Sequence, residues 1–311
     1  MSKIPLILGA NAWSLEYDGT VEPDADTPAW TLAGASVDHA TVTSADFLRI
    51  ASCGTDLDYY TKAPSANNLR VFALFRVRVP GGVSNNVYKA QVAALDGAAA
   101  NCREVYVNFN DGALSIVGAT TTAVTMDTAA RWITVAVLLD RPNNSYSVWV
   151  NGVVKVSGGT PASSGSASLI GFGKYSATDD DSAVDFDMVA YLESSSEYIQ
   201  PWPRVAYHDA ELDSVTDHSV AYDGTIETLH ARVDRFFSWQ AVGLSQSDVD
   251  TLRAFYVSYM APGTELLYIP DITDPEAAEH KVKCMEKSLR PRQMVRRFPI
   301  FSAPIRLRKT D

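Results

Sequence analysis

The sequence is poor in the residues that usually announce chemistry. It has three cysteines, Cys53, Cys102 and Cys284, an odd number at long spacing. With no Cys-x-x-Cys there is no zinc-ribbon or dithiol signature, and buried reduced thiols are expected. The five histidines, His39, His208, His218, His230 and His280, never recur at the spacing of a helical zinc pair. There is no Gly-x-Ser-x-Gly elbow. Gly171-Phe172-Gly173-Lys174 follows no helix signal and lacks the rest of a phosphate-cradling loop. No apolar run reaches 18 residues, so no membrane-spanning helix and no membrane insertion is predicted. The stretch Ile4–Leu8 is too short, and too broken by Pro5, for a signal peptide. It reads as an edge strand or arm on a chain made in a cytoplasm and not exported by the general pathway.

Charge is unevenly spread. The 311 residues carry a net −11, yet Lys281–Asp311 holds ten Lys/Arg against Glu286 and Asp311. An acidic body with a basic end suits head-to-tail contact between like subunits, or docking on an acidic partner. The basic residues are interleaved with a strand pattern and no nucleic-acid motif accompanies them, which argues against nucleic acid. Arg290, Arg292, Arg296, Arg297, Arg306 and Arg308 are the candidate assembly interface.

Apolar residues make up 46% of the chain, enough for two cores. Up to Glu193 the pattern is one of short strands. Leu69–Val79 alternates, with Leu69, Val71, Ala73, Phe75, Val77 and Val79 on one face. Val105–Phe109 and Ala113–Val117 flank Asn110-Asp111-Gly112. Arg131–Asp140 and Tyr146–Val150 flank a turn at Arg141–Ser145, and Asn151-Gly152 favours a type I′ turn. Leu169–Gly173 and Val184–Tyr191 complete the set, with Trp132 and Trp149 expected in the core. Many short strands with little helical periodicity predict a two-sheet sandwich.

Trp132-x-x-Val135-Ala136-Val137, Asp140 and Trp149-Val150-Asn151-Gly152 resemble the concanavalin-like, laminin-G-like jelly rolls. Phe186–Tyr191 is similar to the last strand of that family, and Asp46–Ile50 to an early one. The resemblance implies a jelly roll and is nearly silent on function, because this fold serves lectins, hydrolases, adhesins and spacers.

Glu193–Glu197 and Pro201-Trp202-Pro203 read as a linker. Beyond it, Leu229–Trp239 reads as a strand. Ser245 with Asp248 forms a capping signal for a helix whose apolar stripe is Val249, Leu252, Phe255, Tyr256, Tyr259 and Met260, stopped by Pro262-Gly263. Strands follow around Leu266–Ile269, Lys281–Met285 and Phe301–Leu307. The order predicts a small α+β unit or a β-sandwich with one docked helix. Phe237-Ser238-Trp239, Leu252–Tyr256, Gly263-Thr264, Tyr268–Asp271 and Ile305–Lys309 resemble the ring-forming tail and baseplate domains of tailed phages. That resemblance implies a homo-oligomeric ring, other tail proteins as partners, and a place in the virion after assembly in the host cytoplasm. Ser14–Glu22 and Ser219–Glu227 echo one another as strand, Asp-Gly turn, strand.

Candidate sites are sparse. Asp185 and Asp187 share one face of a strand, as a retaining glycosidase requires, but the flanking glutamates of the usual signature are missing, so no catalysis is expected. Asp179, Asp180 and Asp181, near Asp185, are a possible Ca²⁺ loop, with Asn108, Asn110 and Asp111 as a second; a solvated acidic loop is the plainer reading. No other cofactor is implied. His208-Asp209 and Asp217-His218 read as turn residues. Trp13, Trp30, Tyr59, Tyr60 and Tyr175 are candidate sugar-stacking aromatics for a host-surface glycan.

The expectation is therefore a mainly β chain: a jelly-roll sandwich over residues 1–200, then a smaller β-rich unit with one docked helix over 201–311. Its expected role is a non-catalytic tail-tip ring component with the jelly roll turned outward for decoration or glycan adhesion. The alternatives are a stand-alone carbohydrate-binding protein and a glycan depolymerase.

Overall fold

Among the described residues the computed structural model has 23 strands and one α-helix that runs on into a π-helical turn. It describes residues 5–10, 12–26, 29–33, 39–43, 46–51, 53–62, 70–80, 88–94, 105–110, 112–125, 131–162, 168–176, 182–194, 200–201, 205–220, 226–272, 274, 277–295 and 298–310. The chain divides into two compact units. Trp13–Glu197 with Ile272–Glu276 form one; Met1–Ala12, Tyr198–Asp271 and Ala277–Asp311 form the other. The first strand, β1 (Leu6–Leu8), thus belongs with the C-terminal unit, not with the residues 1–200 that the sequence grouped together.

The unit from Trp13 holds β2 (Leu15–Tyr17), β3 (Thr31–Ala33), β4 (Ala40–Thr43), β5 (Phe47–Ala51), β6 (Asp58–Lys62), β7 (Arg70–Arg78), β8 (Tyr88–Ala94) and β9 (Val105–Asn110). It continues with β10 (Ala113–Val117), β11 (Thr121–Thr125), β12 (Trp132–Asp140), β13 (Ser145–Val150), β14 (Val153–Gly159), β15 (Ser168–Lys174) and β16 (Ala183–Ser194). These make two antiparallel sheets. One runs β11-β10-β9-β8-β15-β6-β3; the other runs β14-β13-β12-β7-β16-β5-β4, with β2 also on β16.

Alternation turns Val71, Ala73, Phe75 and Val77 of β7 and Val105, Val107 and Phe109 of β9 into one shared core. Phe172 of the first sheet meets Phe186 of the second at 4.9 Å. Each large side chain buried there contributes about 1.5–3 kcal/mol. The hairpins close as predicted: Asn151 and Gly152 both have positive φ (47° and 70°), the type I′ geometry, and Asn144 in the preceding turn has φ 46°. The tryptophans differ from expectation. Trp132 and Trp149 fall on the outward parity of their strands and are half-buried, because Ile133, Val135, Val148 and Val150 take the core positions.

The other unit adds β17 (Gln200–Pro201), β18 (Val205–Val220), β19 (Ile226–Leu244), α1 (Gln246–Phe255), β20 (Leu266–Ile269), β21 (His280–Cys284), β22 (Arg292–Val295) and β23 (Phe298–Lys309). Its sheet runs β17-β1-β20-β21-β23-β19-β18, with β22 also on β23. Here β1 is an interior strand, paired to β17 and β20, and not an edge.

Ser245 caps α1 through the reciprocal box with Asp248. Val249, Leu252, Phe255, Tyr259 and Met260 are buried in one core with Ile7, Phe237, Tyr268, Val282, Ile305 and Leu307. His208-Asp209 and Asp217-His218 are not turns but lie inside β18. Its pairing with β19 holds a polar edge strand whose alternation, Asp209-Ala210-Glu211-Leu212-Asp213, is short and flanked by polar residues. Of the internal echo, Ser14–Glu22 makes one short strand and a turn at Gly19 (φ 76°) with no returning strand, while the tip of Ser219–Glu227 lies outside the described residues.

Candidate functional site

The face of the seven-stranded sheet that points away from the core carries a mixture of polar, aromatic and glycine residues, some buried and some partly exposed. Two rows cross it. In the first, Ser115, Asn108, Lys89, Gly173 and Tyr59 stand in register; in the second, Val117, Tyr106, Gln91, Gly171 and Thr61. The intervening residues Val107, Phe109, Ala90, Phe172 and Tyr60 are core, which fixes the direction of these rows.

Lys89 Nζ lies 5.0 Å from the centre of the Tyr106 ring. Asn108 is 7% exposed, and its Oδ1 is buried without a hydrogen-bond partner among the described residues. A buried acceptor of this kind calls for a hydroxyl or water donor. Gly171 leaves room for Tyr175, whose hydroxyl a side chain there would strike. Tyr175 in turn stacks on Tyr59 at 4.1 Å. An aromatic ring, an ammonium and an amide on one face suit a polyhydroxylated ligand.

The aromatics nominated by sequence fare differently. Trp30 and Tyr60 are core, not surface: Trp30 is 3% exposed and meets Phe172 edge-on at 5.3 Å, and Tyr60 is fully buried. Tyr59 is buried beneath Tyr175, which alone of these four keeps partial exposure. Trp13 stacks on Phe72 at 6.2 Å. Sequence reasoning could not separate them because loop aromatics and core aromatics look alike without their partners. Tyr106 and Lys89 were missed, although the alternation of Val105–Phe109 already places Tyr106 and Asn108 on the outward parity.

Asp185 is fully buried on the other sheet. It accepts from Arg49 Nε (2.7 Å), Arg49 Nη2 (3.0 Å) and Arg78 Nε (2.8 Å). The Arg78 guanidinium also lies against the rings of Phe47 and Trp132, 4.7 Å from each. A fully buried carboxylate held so is an ion-pair anchor.

Asp187 does not join it. A register shift between Phe186 and Met188 makes Asp187 the extra residue of a bulge, 3.8 Å from Arg76. Burial pushes its carboxyl up to about 6; Arg76 opposes that shift, and Asp46 and Asp18 add to it. Burial likewise raises the Cys53 thiol to about 11 and raises Cys284, so neither is an activated thiolate.

Asp179, Asp180, Asp181 and Asp111 lie outside the described residues. Among the described residues no group of three His, Cys, Asp or Glu could hold a metal ion. At the basic end Arg290, Arg292 and Arg306 are exposed, Arg308 bonds Asp234 at 2.9 Å, and Arg296 and Arg297 lie outside the described residues.

No family model and no curated protein matches the chain. Solved structures do. A sialidase is 13% identical with TM-score 0.45, over 58% of this chain and only 19% of that one. The Bacillus licheniformis β-glucanase is 12% identical with TM-score 0.42, over 58% of this chain and 98% of that one. A carbohydrate esterase from a Shiga toxin-encoding bacteriophage is 16% identical with TM-score 0.40, over 59% and 99%. At these values the likeness says nothing of activity. The jelly-roll assignment rests on the two packed sheets themselves.

Proposed function

We propose that this chain is a non-catalytic, glycan-binding jelly roll carried on a β-rich assembly unit. The observation that carries the reading is the outward face of the seven-stranded sheet, where the partly exposed Lys89 and Tyr106 lie together, Nζ 5.0 Å from the ring centre, beside Asn108, whose Oδ1 has no partner among the described residues. The carboxylates support the non-catalytic reading: Asp185 is paired with two guanidiniums and Asp187 is displaced on a bulge. The resemblance of residues 201–311 to tail-ring domains supplies the setting, a virion component of a tailed phage working as a symmetric oligomer beside other tail proteins.

A panel of bacterial surface polysaccharides tests the site. At least one is expected to bind the full chain without being shortened. Tyr106→Ala is expected to weaken that binding about tenfold, roughly 1.4 kcal/mol. Binding indifferent to Tyr106→Ala and Asn108→Ala would remove the site, and cleavage that survives purification would overturn the non-catalytic reading.

A further inference from the structure

We infer that the outward face of the seven-stranded sheet selects acidic polysaccharide, with Lys89 taking the carboxylate of a uronate and Asn108 a hydroxyl of the same sugar. The inference rests on the glycan-binding reading above and names the substrate class of that site.

The register brings the two groups together. Lys89 of β8 and Asn108 of β9 stand directly opposite one another in an antiparallel pair. Side chains so placed start about 4.5–5.5 Å apart and leave the sheet on one face. Asn108 is buried, and its Oδ1 has no partner among the described residues. A carbonyl oxygen only accepts, so its match in a ligand is a hydroxyl and not an anion. Lys89 is half-buried, and its ammonium only donates. It lies against Tyr106, the next outward position on the strand of Asn108, with Nζ 5.0 Å from the ring centre. On its other side Lys89 is opposite Gly173, which places no side chain between it and Tyr59.

Charge chooses among sugars. The two rows already traced run on to Ala123 and Thr121 at one edge of the sheet, and to Ala33 and Thr31 at the other. Neither row holds an Asp or Glu among its described positions, and Lys89 is the one charged residue in them. The chain as a whole has 37 Asp and Glu and a net charge of −11. An acidic polymer laid along these rows therefore meets a cation there and no carboxylate to repel it. The other sheet is built differently. There Arg49 and Arg78 stand against Asp185, Arg70 against Asp140 and Arg76 against Asp187.

A uronate fits this arrangement. It carries its carboxylate and a hydroxyl on adjacent ring carbons, so one sugar spans the ammonium and the amide oxygen. Tyr106 then meets the apolar face of that ring or of the next. A neutral hexose offers the ammonium a hydroxyl in place of a charge, which is the weaker bond.

The test uses the full chain and polymers of known charge. Polygalacturonate, alginate and hyaluronan are each compared with their carboxyl-reduced forms, with dextran as a neutral control. The same comparison is made on any surface polysaccharide that binds. At least one uronate polymer is expected to bind, more weakly as salt rises. Reducing its carboxyls is expected to weaken binding about fivefold, the worth of one partly exposed charge pair. Lys89→Gln is expected to lose the same factor and to stop distinguishing the two forms, with an unchanged melting temperature. Lys89→Arg is expected to keep the discrimination. Binding that depends on Tyr106 yet ignores both carboxyl reduction and Lys89→Gln overturns the acidic preference and leaves the glycan reading standing. Dextran bound as tightly as every uronate polymer does the same. A chain that binds no polymer, acidic or neutral, overturns both.

Discussion

Asp187 shows how one residue's surroundings outweigh its type. Its carboxyl ordinarily titrates near 3.8 and is held near 6 by burial, even with Arg76 beside it. Below about pH 4 folded and unfolded chains both carry the proton, and the group costs nothing. Between pH 4 and 6 the unfolded chain releases it first, so raising the pH removes stability, and above 6 the penalty is complete. Asp187→Asn is expected to raise the melting temperature at pH 7 and to flatten its fall between pH 4 and 6. A variant less stable at pH 7 would mean that the pairing with Arg76 wins. The sequence placed Asp185 and Asp187 on one strand face, as simple alternation dictates. It could not place the bulge between them, because an extra residue in a strand leaves no composition signal.

Among elements, the most legible were those whose signals are local. The Asn151-Gly152 turn and the Ser245 cap appear as read, since both depend on neighbours within three residues. Ser245→Ala is expected to cost about 1 kcal/mol of stability, measurable by denaturant unfolding, while glycan binding is retained. A loss much below 0.5 kcal/mol would show that the packing of Val249, Leu252 and Phe255 carries the helix without its cap. The strand β18 was illegible for the opposite reason. Its alternation is confined to Asp209–Asp213, and the remaining polar residues are placed in a strand by their pairing with β19. The outward face around Tyr106 was half legible: its parity could be read, but the row joining it to Gly171 and Thr61 is set by partners far along the chain.

At the scale of the molecule, the jelly roll is an insertion. β1 and β17 are paired neighbours, Ile7 opposite Gln200, and residues 13–197 leave and return between them. The chain passes between the units near residue 12, near residue 197 and on either side of Ile272–Glu276; the first of these is hard to read because a three-residue strand gives too little pattern to reveal its distant partner. A chain joining Ala12 to Tyr198 through a short Gly/Ser linker is expected to fold with cooperative unfolding, while residues 198–311 alone, lacking β1, are expected to be unstable or aggregate. Equal stability of the two would show that β1 is dispensable.

The same insertion sets a timetable on the ribosome. β1 emerges before the jelly roll, and the strand it pairs with on its other side, β20, lies some 260 residues downstream. At about 5–20 residues per second, Leu6–Leu8 waits roughly 10–50 s, with the whole jelly roll made in the interval, before its sheet can close. A short apolar strand held unpaired for that time is open to capture by other nascent chains. A pause at any point before β20 is made, within the jelly roll or after it, lengthens that exposure.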